Sequence, residues 1–282
     1  METTKIIDGV EAIETALWFP VKKVLVIGDV HMGYEESLSK RGFLIPRTQF
    51  KESVKSIKKI LSVVKPKLVI INGDLKHEFG EISSQEWIDI SRFLDIFSGV
   101  GAEIILVKGN HDTILKPIAD KKKIKLVDYY CFELFKNPGK LSFLSPEMQS
   151  ISKEFSSKPS KISKMKKSLL DIIKKKKVNS VCIMHGHKEF DAGKKADLVV
   201  IGNDHPAVFL EEGVKKEKYK CFLLGKWKKQ RLISMPSFFP MIEGTDVKRE
   251  FLLSPFLQQN LDNFEVFIVG DKVYKFGKLK NL

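Results

Sequence analysis

Five short apolar runs, each followed within four positions by side chains able to ligate a metal, constrain this 282-residue chain more than any other feature. They are residues 24–27 before Asp29 and His31, 68–71 before Asp74, 104–107 before Asn110, 181–184 before His185, and 198–201 before Asn203 and His205. Runs this short and this continuously apolar read as strands covered on both faces. In an open α/β sheet, side chains just past the carboxyl ends of neighbouring strands converge on one crevice. Two carboxylates, two amides and three imidazoles delivered there can share metal ions.

The segments between these runs carry helical patterns. Phe50, Val54, Ile57, Leu61 and Val64 recur every three or four residues after Pro46, which suits an early helical position. Ser83 with Glu86 three residues on makes a capping box, and Trp87, Ile90, Leu94 and Phe97 continue an apolar stripe to Gly99. The alternation over residues 21–108 predicts parallel strands joined by right-handed crossovers. At about residues 137–180 the rhythm stops, and Pro138-Gly139, a Ser/Lys-rich stretch over 150–163 and the basic run 174–177 read as an insertion within a single domain spanning 1–282. Inside it, Lys164, Lys166, Lys167, Leu169, Leu170, Ile172 and Ile173 pattern a basic amphipathic helix, either packed on the sheet or facing a substrate. Farther on, apolar runs at 207–210, 220–224, 232–235 and 264–269 alternate with turns and predict a second, mixed or antiparallel sheet.

A formal charge of +14 favours anionic partners such as nucleic acid. Five arginines stand against 44 lysines, however, so the excess reads equally as a lysine-rich composition without guanidinium forks for phosphate. Cys131, Cys182 and Cys221 are odd in number and lack CxxC spacing, which predicts neither a disulfide framework nor a zinc knuckle and suits a reducing cytosol. Residues 1–20 lack a basic segment followed by an apolar core, and no stretch reaches 18 uninterrupted apolar residues. The expectation is a cytoplasmic protein with no membrane partner.

Asp29-Val30-His31 and Gly73-Asp74 are each ordinary turn chemistry when taken alone. Gly109-Asn110-His111-Asp112 says more, because a turn needs glycine and asparagine but not the His-Asp pair that follows. With His185-Gly186-His187 and Gly202-Asn203-Asp204-His205, four of the six histidines stand at strand ends. In this order the motifs resemble the calcineurin-like metallophosphoesterase superfamily over residues 21–210. Gly28-Asp29-Val30-His31-Met32-Gly33, Gly73-Asp74-Leu75-Lys76-His77 and His205-Pro206-Ala207 further resemble archaeal phosphoesterases related to the nuclease SbcD and to ligase-associated DNA damage response endonucleases. Ser237-Phe238-Phe239-Pro240, Glu243-Gly244-Thr245-Asp246-Val247 and Leu253-Ser254-Pro255-Phe256 extend that likeness toward the end of the chain.

The resemblance implies an α/β, four-layer fold with a two-sheet β-sandwich flanked by helices. It implies two divalent ions, Mn²⁺ first, with Fe, Zn²⁺ and Ni²⁺ as alternatives. By position, Asp29, His31 and His205 would hold the first ion, Asn110 and His185 the second, and Asp74 would bridge them. Two such cations acidify a shared water, and the hydroxide attacks phosphorus in line. His111 would protonate the leaving oxygen as general acid, with Asp112 holding its imidazole. His77 and His187 stand outside this catalytic set, in roles that contact phosphate or only support the structure. The family pattern at the last motif is Gly-His-x-His, whereas this chain has Asn203 where an imidazole is expected. An amide oxygen is a weaker ligand than imidazole for Fe or Zn²⁺, and Asp204 is the nearby substitute.

The resemblance and the charge point to a phosphodiester of nucleic acid, single-stranded or at an end, cut by a nuclease. Serine/threonine phosphatases usually carry an arginine soon after Gly-Asp; here Leu75, Lys76, His77 and Glu78 follow, with Lys76 the substitute point charge. The alternatives are a phosphomonoesterase, or a weakened or inactive metal-binding scaffold that binds nucleic acid or protein.

Overall fold

The computed structural model describes residues 2–79, 82–112, 114–135, 178–213 and 215–282. Two sheets lie face to face. The first runs in spatial order β1 (Thr4–Ile7), β2 (Val10–Ile13), β3 (Ala16–Phe19), β4 (Val24–Gly28), β5 (Leu68–Asn72), β6 (Glu103–Val107) and β7 (Lys125–Val127). β1 to β4 pair antiparallel, and β4 to β7 pair parallel. The second sheet contains β8 (Tyr129–Glu133), β9 (Ser180–Met184), β10 (Leu198–Ile201), β11 (Pro206–Glu212), β12 (Lys215–Trp227), β13 (Gln230–Ser234) and β14 (Thr245–Asp246), in the order β14-β11-β12-β13-β10-β9-β8. β15 (Glu265–Val269) joins β12, and β16 (Val273–Lys278) joins β15. Parallel pairs β9·β10 and β10·β13 beside antiparallel pairs make it the mixed sheet that the turn-punctuated sequence predicts.

The five diagnostic runs form β4, β5, β6, β9 and β10, and each is buried on both faces. Strand period two sends alternate side chains to opposite sides. Val24, Val26, Ile70, Val181, Ile183, Leu198 and Val200 therefore fill the layer between the sheets, where Phe222 and Phe267 join them. Leu25, Ile27, Val69 and Ile71 face outward under α2 (Gln49–Val63) and α3 (Ser84–Gly99), against Ile57, Ile60, Phe93 and Phe97. Of the predicted stripes, Phe50, Ile57, Leu61 and Val64 and all four residues of α3 pack on this core, where Ile60 and Phe93 join them in addition. Ser83 caps α3 by accepting the Glu86 N–H at 3.0 Å. Two short helices, α1 (Tyr34–Lys40) and α4 (Lys116–Lys122), follow β4 and β6 in the chain. The outer face of the second sheet is covered differently, by α5 (Asp191–Lys195) and by Val247, Leu252, Phe256, Leu257 and Leu261 from irregular chain.

Three features depart from expectation. The strands β1 to β3 had no counterpart in the sequence reading, because each has only four residues and a tight turn follows it. The insertion predicted over 137–180, with its basic helix, lies outside the described residues as far as 177; Val178 is already buried and β9 begins at Ser180. Cys131 and Cys182 form a disulfide, contrary to the prediction of free thiols, while Cys221 stays free and buried. They are 51 residues apart in sequence, but β8 and β9 pair with Cys131 directly opposite Cys182, their Cα atoms 4.1 Å apart. That bond removes the thiol argument behind the cytosolic expectation. Among the described residues no helix is long and apolar enough to cross a membrane.

Candidate metal centre

The loops that leave β4 and β5 continue side by side beyond the sheet. The N–H groups of Asp29, His31 and Met32 donate to the carbonyls of Gly73, Asp74 and Leu75, at 3.2, 2.8 and 2.9 Å. This extension carries Asp29, His31 and Asp74 into the crevice with left-handed backbones, at φ 53°, 49° and 39°. Asn203 and His205 share that conformation, so five of the nine non-glycine residues with positive φ among those described belong to the candidate site. Such conformations cost energy and persist where surrounding bonds over-determine them. Here those bonds are visible. Gln49 donates its amide to the carbonyl of His31 at 2.6 Å, Ser237 donates its hydroxyl to the carbonyl of Asp29 at 2.9 Å, and the Phe238 N–H donates to Gly28 at 2.8 Å.

Two glycines let ligand loops touch. A Cβ on Gly109 would collide with Asp74 Oδ1, and one on Gly202 would collide with Asp29 Oδ2. Only glycine allows backbone to press so closely on a carboxylate.

Ligand atoms converge in overlapping groups. Asp29, His31 and His205 form one, Asp29, Asp74 and His185 form another, and His31, His77 and His111 form a third, with the ligand atoms of each group within 4.8 Å of one another. In the first, His205 Nε2 lies 3.6 Å from Asp29 Oδ1 and 3.3 Å from His31 Nε2. In the second, His185 Nδ1 lies 3.4 Å from Asp29 Oδ1, and its Nε2 lies 3.4 Å from Asp74 Oδ2 and 3.0 Å from Asn110 Oδ1. Six of the seven predicted ligands therefore meet in one place. Asn203 contributes differently: its N–H donates to both oxygens of Asp29, at 3.3 and 3.2 Å, while its side-chain amide donates to Asp204 at 3.4 Å. Asp204 is itself held away by the N–H groups of Leu253 and Ser254, so it does not replace the missing imidazole.

The electrostatics fit a cation. Burial alone would raise the Asp74 carboxyl, yet the hydrogen bond and charge of His185, then His31 and the His111 N–H, hold it well below the usual carboxylate range. Burial disfavours a charged His185, but Asp74, then Asp29 and Asp112, push it up to about 9. The carboxylates thus hold a proton where a cation would compete for the same field. Burial, followed by the charge of His205, lowers His31 well below its ordinary value and keeps its ring neutral for ligation. Hard oxygens and imidazoles in this mixture suit a first-row divalent ion.

His111 lies on the side of this cluster, grouped with His31 and His77. Its Nε2 lies 3.9 Å from Asp74 Oδ2, its backbone N–H donates to Asp74 Oδ1 at 3.0 Å, and its Nδ1 meets the carbonyl of His77. That carbonyl therefore orients the ring, in place of Asp112, to which the family resemblance gives this task. Asp112 is fully buried and instead gathers the N–H groups of Leu75, Lys76 and Gly109, at 3.0, 3.3 and 3.0 Å. Burial and the charge of Asp74 outweigh those donors and raise its carboxyl to about 7. Lys76 also departs from expectation: it has no exposed surface, and Nζ has no hydrogen-bond partner among the described residues, so it is not placed to meet a phosphoryl group.

Several supporting residues carried no sequence signal. Glu35 accepts the Thr48 and Gln49 N–H groups at 2.7 and 2.8 Å, fixing the start of α2 from which Gln49 reaches His31. Lys220 donates to the carbonyls of Ser237 and Phe239 beneath Asp29, and burial lowers its ammonium to about 8 despite the favourable charge of Asp29. Around the mouth, Tyr34 packs edge-on to His77 at 4.8 Å and to Phe239 at 5.1 Å, and Phe79 lies on His111 with ring centroids 3.7 Å apart.

A fold of two mixed sheets that gathers carboxylates, an amide and imidazoles at strand ends is that of a metallophosphoesterase. The family comparison agrees, since residues 22–207 match the calcineurin-like phosphoesterase model; the chain belongs to that family of hydrolases with dinuclear metal centres. Comparison with curated proteins gives no match. Among solved structures, the chain is similar to the nuclease MPE of Pseudomonas putida, with 14% identity, a TM-score of 0.58, and coverage of 98% of this chain and 99% of that one. It is similar, more distantly, to a phosphoesterase-like protein of Streptococcus pneumoniae, at 14% identity, TM-score 0.31, and coverage of 90% and 93%. The zinc-complexed Vps29 of Entamoeba histolytica is at 14% identity, TM-score 0.30, and coverage of 88% and 86%. At 14% identity the likeness to the P. putida protein speaks to the fold alone.

Proposed function

We propose that the chain is a Mn²⁺-dependent phosphodiesterase acting on single-stranded nucleic acid or nucleic-acid ends, in the branch related to SbcD and the ligase-associated endonucleases. The observation that carries this reading is His111 Nε2, 3.9 Å from Asp74 Oδ2 at the edge of the ligand groups and not consumed by the His77 contact at Nδ1. Asp29, His31 and His205 would hold one cation and Asn110 and His185 the other, with Asp74 between them. Bound there, two cations acidify water and neutralise charge on the attacked phosphoester. Acting as general acid, His111 would keep Nδ1 on the His77 carbonyl and give a proton from Nε2 to the leaving oxygen. Asp112 fixes the turn that carries His111, and Gln49, Ser237 and Lys220 hold the loop that carries Asp29 and His31. The charge of +14, and the nuclease activity in the name of the P. putida protein, support a nucleic-acid substrate. A cytoplasmic location goes with that substrate as part of the proposal.

One observation favours a second reading, a weakened site kept for binding: Asn203 turns its amide to Asp204. The test is hydrolysis of bis-p-nitrophenyl phosphate and of a fluorescent single-stranded oligonucleotide by metal-stripped protein supplied with Mn²⁺. Turnover of both by wild type that vanishes in Asp74→Asn supports the nuclease. Turnover only after Asn203→His overturns it in favour of the binding scaffold, and turnover of monoesters alone marks a phosphomonoesterase.

A further inference from the structure

Phe79 is a large apolar side chain with 63% of its surface exposed, standing two residues after His77, whose carbonyl holds the His111 ring. A single exposed aromatic is common on protein surfaces and needs no special account. Its position changes the argument. The Phe79 ring lies over the His111 imidazole at 31° with centroids 3.7 Å apart, and His111 lies over His77 at 26° with centroids 5.7 Å apart. The three rings therefore step outward from half-buried His77 to exposed Phe79, tilted by 26° and 31° at successive steps. An aromatic face at the open end of such a column is a surface on which another flat π-system can stack.

We propose that Phe79 is the platform on which a nucleobase adjoining the scissile phosphate stacks, making it a substrate-positioning residue for single-stranded nucleic acid. The inference rests on the nucleic-acid reading of the metal centre. Stacking suits that substrate because every base has a π-face, so the contact anchors a strand without choosing its sequence. It also suits His111: a base seated on the outer face of Phe79 would bring its strand alongside the general acid, with the Phe79 ring between base and imidazole. A paired duplex keeps its bases stacked on each other and does not offer that face, so the platform selects single strands and frayed ends.

The experiment compares steady-state cleavage of a thymidine oligonucleotide with the same oligonucleotide carrying abasic sites, by Mn²⁺-loaded wild type, Phe79→Leu and Phe79→Trp. In Phe79→Leu, KM for the thymidine strand should rise relative to KM for the abasic strand by on the order of 5- to 100-fold. Phe79→Trp should restore the preference. An equal rise on both strands would mean that Phe79 only props His111 and would overturn the proposal, as would no change on either. Wild type that cuts both strands with the same KM removes the stacking and leaves the nuclease reading standing. Wild type that hydrolyses bis-p-nitrophenyl phosphate but neither binds nor cuts the oligonucleotide overturns the nucleic-acid reading and this inference with it.

Discussion

The turn after β6, Gly109-Asn110-His111-Asp112, and the turn after β10, Gly202-Asn203-Asp204-His205, use the same four residue types with only the last two exchanged. In each, the glycine presses against a ligand carboxylate, Asp74 in one and Asp29 in the other. In each, the aspartate is pinned by backbone N–H groups and leaves the crevice, Asp112 to Gly109, Leu75 and Lys76, Asp204 to Leu253 and Ser254. The outcomes then diverge. Asn110 sends its side-chain oxygen to His185, whereas Asn203, at φ 73°, sends its backbone N–H to Asp29 and its side chain to Asp204. His205, at φ 48°, gathers with Asp29 and His31, whereas His111 gathers with His31 and His77, its Nε2 3.9 Å from Asp74 Oδ2. The chemical role of an asparagine or histidine here is decided by backbone conformation, and residue type alone does not decide it.

Mutation can break this comparison. The largest expected effect is at His111. His111→Ala should lower kcat by about 10²- to 10⁴-fold on an oligonucleotide, whose leaving alkoxide needs a proton. On bis-p-nitrophenyl phosphate, whose leaving group needs none, the loss should be far smaller. Equal losses on the two substrates would remove His111 from the acid role. Next comes Asp112→Ala, which orphans three buried N–H groups and should cost about 3 kcal/mol in urea unfolding. A loss under about 1 kcal/mol would show that this turn does not depend on its pinned aspartate.

The contrast sharpens at position 203. Asn203→His restores an imidazole to the turn after β10 and should tighten the weaker Mn²⁺ site by about 10- to 100-fold, read by calorimetric titration of metal-stripped protein. No change would mean that the left-handed backbone aims this side chain away whatever its chemistry. The smallest effect concerns Lys220, beneath Asp29. Its lowered value means that between about pH 8 and 10.5 the unfolded chain holds a proton that the folded chain has released. Stability should therefore rise with pH across that window, by about 2 kcal/mol or less, and Lys220→Met should flatten the rise. An identical pH slope in the variant would remove Lys220 as the source.

The five apolar runs needed no tertiary information to be recognised as strands, because a strand buried on both faces is continuously apolar and those runs end at glycine or polar residues. For the same reason α2 and α3 were legible from period 3.6 and from the Ser83 cap. The strands β1 to β3 were not, since four-residue strands carry too few side chains to establish a period. The disulfide was hidden for another reason. Cys131 and Cys182 are 51 residues apart and become neighbours only through the register of β8 on β9.

At the site, the sequence by itself determined which loops reach the crevice, because segments that follow the carboxyl ends of parallel strands share an address set by strand direction. Only the tertiary structure decided what each does there. Whether Asp112 holds His111 or three amides, whether Lys76 meets substrate or is buried, and whether Asn203 offers its side chain or its N–H all depend on long-range neighbours and on left-handed backbone. Those are properties of the packed loops, and no local pattern of residue types encodes them.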